Sequence, residues 1–264
     1  MSQYLSASEA IELLGIPSAT FHRMVREKKI KKYYPTAVSK HGMYDAKEIA
    51  RLRTKFRRET EPQEVGETDW IQGSDMGSVY DLEYDVYQDQ TGDPSIIRKW
   101  YEHNPFMCRV LYNKDDRRDL WGAINMVPLR EDMIFKLLRR EIRDVDLDPQ
   151  RDILTYDQPG IYDIYVASVI MHPQKRQHFI RLVNSIFDFW CEQAPDHTIG
   201  RIYGRVIARD GELLAKKLFF SPIWHVAEGA FVLDLARPNP SRIIQSFQYC
   251  VQSKREEQGI ESEQ

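Results

Sequence analysis

The stretch that decides the fold is Tyr162-Asp163-Ile164-Tyr165-Val166-Ala167-Ser168-Val169-Ile170-Met171-His172-Pro173. Its apolar run is nearly continuous from Tyr162 to Met171, the mark of a central strand covered on both faces rather than an alternating surface strand. His172-Pro173 stops it, and a helix follows at once, with Phe179, Leu182, Val183, Ile186, Phe187 and Trp190 at helical spacing. Working outward, 199–206 reads as another strand, 210–219 as a helix and 224–235 as the end of the sheet. Upstream, 76–87 reads as a helix whose Val79, Leu82, Tyr84 and Val86 are imperfectly spaced, and 96–101 as a second, short helix. Cys108–Tyr112 and Leu120–Met126 read as a hairpin around the polar turn 113–119, and 131–143 as a helix with Ile134, Leu137 and Leu138 inward.

The first 58 residues have another character. They hold 13 Lys/Arg against 5 Asp/Glu, whereas the remaining 206 hold 24 against 35. A basic head on an acidic body is the division expected when one module alone meets nucleic acid. Ser6-x-x-Glu9 has the form of a capping box, and Ala10, Leu13 and Leu14 follow it until Gly15. Ile16-Pro17-Ser18 makes a corner, with Ser18 expected to cap a second helix that turns Phe21, Met24 and Val25 inward. Its other face carries Thr20, His22, Arg23 and Arg26, and Lys28 follows. Lys31–Pro35 and Lys40-His41-Gly42-Met43-Tyr44 read as a ribbon with Gly42 in the tip, and Asp45-x-x-Glu48 as another capping box.

Between the modules, 59–67 is polar and has no period, so it reads as a linker; 251–264 reads as a frayed tail. The domains expected are therefore 1–58, 68–250 and the two connecting or terminal segments. No apolar run approaches the ~20 residues of a membrane helix, and the N-terminus lacks a signal-peptide pattern. Cys108, Cys191 and Cys250 are odd in number and without metal-ligand spacing, which points to a reducing, cytoplasmic setting and away from a disulfide or a metal site. His172 and His178 are close in sequence but have no third ligand.

Two resemblances add to this reading. Tyr4–Ala10, Leu14–Pro17, Ser18-x-Thr20-Phe21 and Tyr44-x-x-x-Glu48-Ile49 resemble the winged helix-turn-helix of MerR-type regulators and excisionases. That resemblance implies a helix from Ser18 in a major groove of double-stranded DNA, with Ser18, Thr20, His22, Arg23, Arg26 and Lys28 toward it and the wing residues Lys40 and His41 on the backbone. Regulators of this kind act as symmetric pairs, so a homodimer formed by the body is implied. Met43 stands where the family commonly has an arginine.

From Trp121–Leu129, Val169–Pro173 and Gly211–Phe220, the body resembles the GNAT acyltransferase fold: an α+β or α/β arrangement with a mixed sheet flanked by helices. The resemblance implies an acyl-CoA, acetyl-CoA foremost, in a splay beside Val169 and Met171. Its pyrophosphate would meet the start of a helix near Gln174, where Arg176, Gln177, His178, Phe179, Ile180 and Arg181 lie. The family's loop wants small residues where Phe179 and Arg181 stand, so acetyl-CoA binding is expected to be weak or absent. Asp163, with Tyr162, Tyr165 or Ser168, is the candidate acid/base group for an amine; the other reading makes Asp163 a strand-edge charge and the tyrosines packing groups. The functions in view are a DNA-binding regulator with an acyl-CoA-binding body, a DNA-tethered N-acetyltransferase, and a protein whose body only mediates dimerisation.

Overall fold

The computed structural model describes residues 4–34, 42–60, 64–88, 93–207 and 209–259, with the side chains of 54–60 and of Asp210 outside that description. The chain divides into two compact units, Met1–Glu64 and Val65–Gln264.

In the first unit, β1 (Tyr4–Leu5) pairs antiparallel with β2 (Tyr44–Asp45), and three helices surround a small core: α1 (Ala7–Leu14), α2 (Ser18–Arg26) and α3 (Ala46–Thr60). The capping box is present, with the Glu9 N–H donating to Ser6 Oγ at 3.3 Å and the Ser6 N–H to Glu9 Oε2 at 2.7 Å. Gly15 ends α1 at φ 64°, where a Cβ would be strained. Asp45 Oδ1 accepts the N–H groups of Lys47 and Glu48 at the start of α3. Ala10, Leu14, Phe21, Met24, Ile30, Tyr44 and Ile49 are buried together. Ser18 does not cap α2. Pro17 takes the cap position without a side-chain hydrogen bond, and Ser18 is the first helical residue. Proline's fixed φ suits that boundary, so the corner closes one residue earlier than the Ser18 hydroxyl suggested. An antiparallel bridge joins Tyr33 to Met43. Residues 35–41 of the expected ribbon, Lys40 and His41 among them, lie outside the described residues.

The second unit is a mixed α+β structure. Its elements are β3 (Gly66–Trp70), α4 (Met76–Tyr87), α5 (Pro94–His103), β4 (Cys108–Asn113), β5 (Asp116–Pro128), α6 (Glu131–Arg139), α7 (Pro149–Asp152), β6 (Gly160–Met171), α8 (Phe179–Gln193), β7 (His197–Arg205), α9 (Arg209–Lys217), β8 (Ser221–Pro222), β9 (Ala230–Asp234) and α10 (Arg242–Glu257). The seven strands run in the order β3-β4-β5-β6-β7-β9-β8. Every neighbouring pair is antiparallel except β6–β7, which α8 connects as a parallel crossover. One face of the sheet is packed by Val79 and Leu82 of α4, Trp100 and Tyr101 of α5 and the apolar stripe of α6. The other is packed by Leu182, Val183, Ile186 and Trp190 of α8 with Ile244, Phe247 and Val251 of α10.

Several boundaries differ from the sequence reading. The segment 59–67 holds the end of α3 and the start of β3. Among the described residues β3 pairs only with β4, as an edge strand, so its polar composition hid it; at Gly66 an added Cβ would lie 2.7 Å from the Trp121 ring, which explains the glycine. The helix from Glu131 stops at Arg139 rather than Arg143, closed by Arg140 at φ 61°. Residues 251–257 continue α10, because Val251 is buried on α8's side of the sheet. Cys191 and Cys250, 59 residues apart, form a disulfide between α8 and α10, against the expectation of free thiols, since the packing of Phe187 on Phe247 brings their Cα atoms to 6.0 Å. Cys108 is free and buried.

Candidate functional site

The parallel pair opens along its length. β7 accompanies β6 from Gly160 opposite His197 to Val166 opposite Gly204, then ends at Arg205, while β6 runs on to Met171. On its other side β6 stays paired with β5 to Met171, with a register shift that leaves Ala167 as an extra residue between the Asn125–Ser168 and Met126–Val166 pairs. The His172 N–H donates to the Trp121 carbonyl at 2.8 Å, which sets the phase of this ladder. By alternation Ile124–Val169 is then a non-hydrogen-bonded pair, so the Val169 N–H and C=O point away from β5, toward the side that β7 has left. The Tyr87 hydroxyl, at the end of α4, donates to that Val169 carbonyl at 3.4 Å.

Beside this gap a polar group is buried in the face covered by α4 and α5. Glu83 Oε1 accepts from Asn125 Nδ2 and from Ser168 Oγ, each at 2.6 Å, and Asn125 Oδ1 accepts from the Tyr101 hydroxyl at 2.7 Å. Glu83 and Asn125 are both buried. The sequence reading missed Glu83, yet the signal was present. Val79, Leu82 and Glu83 share the inward stripe of α4, whereas Tyr84 and Val86 are 44% and 51% exposed. The imperfect apolar spacing was a carboxylate occupying a core position. Asn125, a lone amide in an apolar strand, is the matching signal on β5.

Burial raises the proton affinity of Glu83, opposed in part by the bonds from Ser168 and Asn125. The folded chain therefore holds this proton to higher pH than the unfolded chain does. Stability contributed here is full below the unfolded carboxyl range and declines as pH rises through the folded value. Glu83→Gln, which keeps an acceptor and cannot ionise, is expected to lose less stability than the wild type as pH rises above the ordinary carboxyl range, followed by urea denaturation. Equal slopes would show that Glu83 does not titrate differently on folding.

The other candidate catalytic residues do not converge. Tyr162 turns into the α8 face, where its hydroxyl donates to the Gln158 carbonyl and its ring meets Tyr156 at 4.9 Å. Asp163, one residue on, turns to the opposite face by strand alternation. It is half-buried opposite Gly200 and Arg201, and desolvation raises its pKa against the pull of Arg201. Arg201 and the Tyr203 hydroxyl both bind Glu131 Oε1, each at 2.7 Å. Burial holds the Tyr165 phenol up to about 12. Ser168 alone of the set joins the buried network. The three are thus separated: Tyr162 faces the other side of the sheet from Asp163, and Ser168 shares the face of Asp163 but lies further along β6, at Glu83.

The expected phosphate loop is also changed. Residues 173–178 form a 3-10 helical turn, so α8 begins at Phe179 rather than near Gln174. Amides that an open anion loop would present are used internally: Gln174 N–H to His172 Nδ1 at 3.4 Å, Lys175 N–H to the His172 carbonyl at 2.9 Å, and Phe179 N–H to the Arg176 carbonyl. Phe179 packs against the α8-side core, together with Val169 and Met171. Arg176, Gln177, Ile180 and Arg181 are exposed. His178 packs on Trp121 with ring centres 4.7 Å apart, and Lys175 Nζ lies 4.5 Å from the same ring. Among the described residues no cluster of His, Cys, Asp or Glu has the makings of a metal site, and no helix is long and apolar enough to cross a membrane.

In the first unit Ser18, His22, Arg23, Arg26 and Lys28 are exposed and Thr20 is half-buried, so one side of α2 is polar and cationic. Arg23 lies 4.0 Å from Glu27, which also binds Lys29 at 2.7 Å.

No protein-family model matches the chain, and no curated protein does. Among solved structures it is similar to NAA60 of Arabidopsis thaliana in complex with acetyl-CoA, at 14% identity and a TM-score of 0.43 over 66% of this chain and all of that one. It is also similar to a GNAT family N-acetyltransferase (YhbS) of Escherichia coli in complex with CoA, at 13% identity and a TM-score of 0.42 over 66% of this chain and 84% of that one. Ard1 of Thermoplasma volcanium is similar at 12% identity and a TM-score of 0.40 over 63% and 94%. At such values the likeness assigns no role to any residue.

Proposed function

We propose that the chain is a DNA-binding regulator whose second unit is a GNAT-like domain that senses an acyl-CoA, or a ligand of the same chemistry, without acting as an efficient transferase. The observation that carries the ligand half is the gap where β6 outruns β7 and turns the Val169 peptide outward. A slot between diverging strands suits a narrow chain bearing amides, such as the pantetheine arm. The internally bonded amides of 172–179 favour weak retention of a pyrophosphate, and the separation of Asp163, Tyr162 and Ser168 argues against a prepared acid/base pair. The reading as a working N-acetyltransferase draws support from Asp163, whose burial makes it a stronger base than an exposed carboxylate.

The DNA half rests on the charge of residues 1–58 and on the exposed cationic side of α2. A symmetric dimer on paired half-sites is part of this proposal. The test uses the full chain. Duplex binding followed by anisotropy is expected to weaken steeply with salt, and Arg23→Ala to lose ~1–3 kcal/mol of specific binding. Calorimetric titration with acetyl-CoA is expected to give weak saturable binding, with no acetyl transfer to amines. Salt-insensitive or absent duplex binding overturns the first half; rapid acetyl transfer overturns the second in favour of the enzyme.

A further inference from the structure

The gap beside β6 is already engaged by the chain itself. A strand that has lost its neighbour presents outward N–H and C=O groups and takes up a chain that supplies complementary ones. At Val169 the carbonyl is such a group, and an amide N–H of a ligand arm would be its natural partner. In this structure the partner is the Tyr87 hydroxyl, reaching from the final residue of α4. One turn earlier, at the i,i+4 spacing that puts both side chains on one face, Glu83 ties α4 to β5 through Asn125 and to β6 through Ser168. The helix is thus moored at Glu83 and closes the slot at Tyr87.

We propose that the last turn of α4 is a displaceable strap, in which the Tyr87 hydroxyl stands at the Val169 carbonyl where a ligand's amide would bind, while Glu83 moors the helix. This rests on the reading of the second unit as an acyl-CoA-binding domain. Burial keeps the Tyr87 phenol a neutral donor, with its pKa raised, so the contact persists across physiological pH. The strap makes ligand occupancy visible elsewhere: binding releases the C-terminal turn of α4 while the Glu83 mooring stays.

The experiment is calorimetry on the full chain with acetyl-CoA and, separately, adenosine 3′,5′-bisphosphate, which lacks the pantetheine arm. Tyr87→Phe keeps the packed ring and removes only the donor. It is expected to tighten acetyl-CoA about three- to tenfold, the range of one net hydrogen bond, and to leave the bisphosphate unchanged. Hydrogen exchange supplies the second measurement, with protection over 84–88 of the wild type expected to fall on adding acetyl-CoA. Equal acetyl-CoA affinity in both chains, with 84–88 unaffected, overturns the strap and leaves the acyl-CoA reading standing. Weaker binding by Tyr87→Phe makes Tyr87 a ligand contact and also overturns it. No acetyl-CoA binding by either chain overturns both the strap and the reading beneath it.

Discussion

Arg117→Ala is expected to destabilise the second unit by about 3–5 kcal/mol, the range for stripping the partner from a buried charge. Asp75 is 3% exposed, and Arg117 is its cation: Nη2 lies 2.8 Å from Asp75 Oδ2 and Nε 3.1 Å from Oδ1. The same guanidinium bridges to Asp69 at 2.8 Å and to the Trp70 carbonyl at 2.9 Å, and it lies over the Tyr112 ring. It therefore fastens edge strand β3 and the segment before α4 to the start of β5. The bond to Asp75 is the first cause holding the Arg117 proton more tightly than usual. Without Arg117, Asp75 keeps the Gln72 N–H at 2.8 Å but no cation. Asp75→Asn in the Arg117→Ala background should return part of the loss, since the uncompensated charge is then gone. Thermal denaturation of the wild type and the two variants decides this; a single mutant within about 1 kcal/mol of wild type would show the pair to be solvated.

Trp121→Ala is the second large effect, a loss of about 3–5 kcal/mol for removing a wholly buried ring. Trp121 is 0% exposed, its Nε1 donates to Asp119 Oδ2 at 3.0 Å, and Gly66 of β3 is bare to admit it. It is also the platform for His178 and Lys175, so its removal should free the 3-10 turn before α8. Hydrogen exchange should therefore rise over 174–179 as well as in the core. Trp121→Phe, which keeps part of the platform, should fall between. A global loss of stability with 174–179 unchanged would mean that the turn is held by its own hydrogen bonds alone.

The order of elements in the second unit was legible because its signals are local. The run Tyr162–Met171, the stripe from Leu182 to Trp190 and the apolar arms of the β4–β5 hairpin each declare a period within one or two turns of chain, although the turn is tighter than 113–119 because β5 already begins at Asp116. Elements whose stability is borrowed were not legible. Gly66–Trp70 has no strand pattern because, as an edge strand, it is only partly covered and tolerates Glu67, Thr68 and Asp69 in its middle. The end of α10 reads as a charged tail because its burial comes down to Val251 in the last turns. Glu83 was passed over because an isolated carboxylate in a helix is ordinarily at the surface. Only the arrival of Asn125 and Ser168 from two strands makes its position tenable.

By itself the sequence determined the two-part charge division, the capped helices of the first unit, the central strand and the helix that follows it. These depend on side-chain volume, polarity and backbone freedom over a few residues. Tertiary structure alone decided that Tyr162 and Asp163 part company across the sheet, that β6 outruns β7, and that Cys191 meets Cys250. It likewise decided that Tyr87 reaches Val169 from 82 residues away. The reason is that such contacts join residues whose separation along the chain carries no periodic signal. They are fixed by strand register and by which helix covers which face, and a polar group is buried only where those choices bring its partners to it.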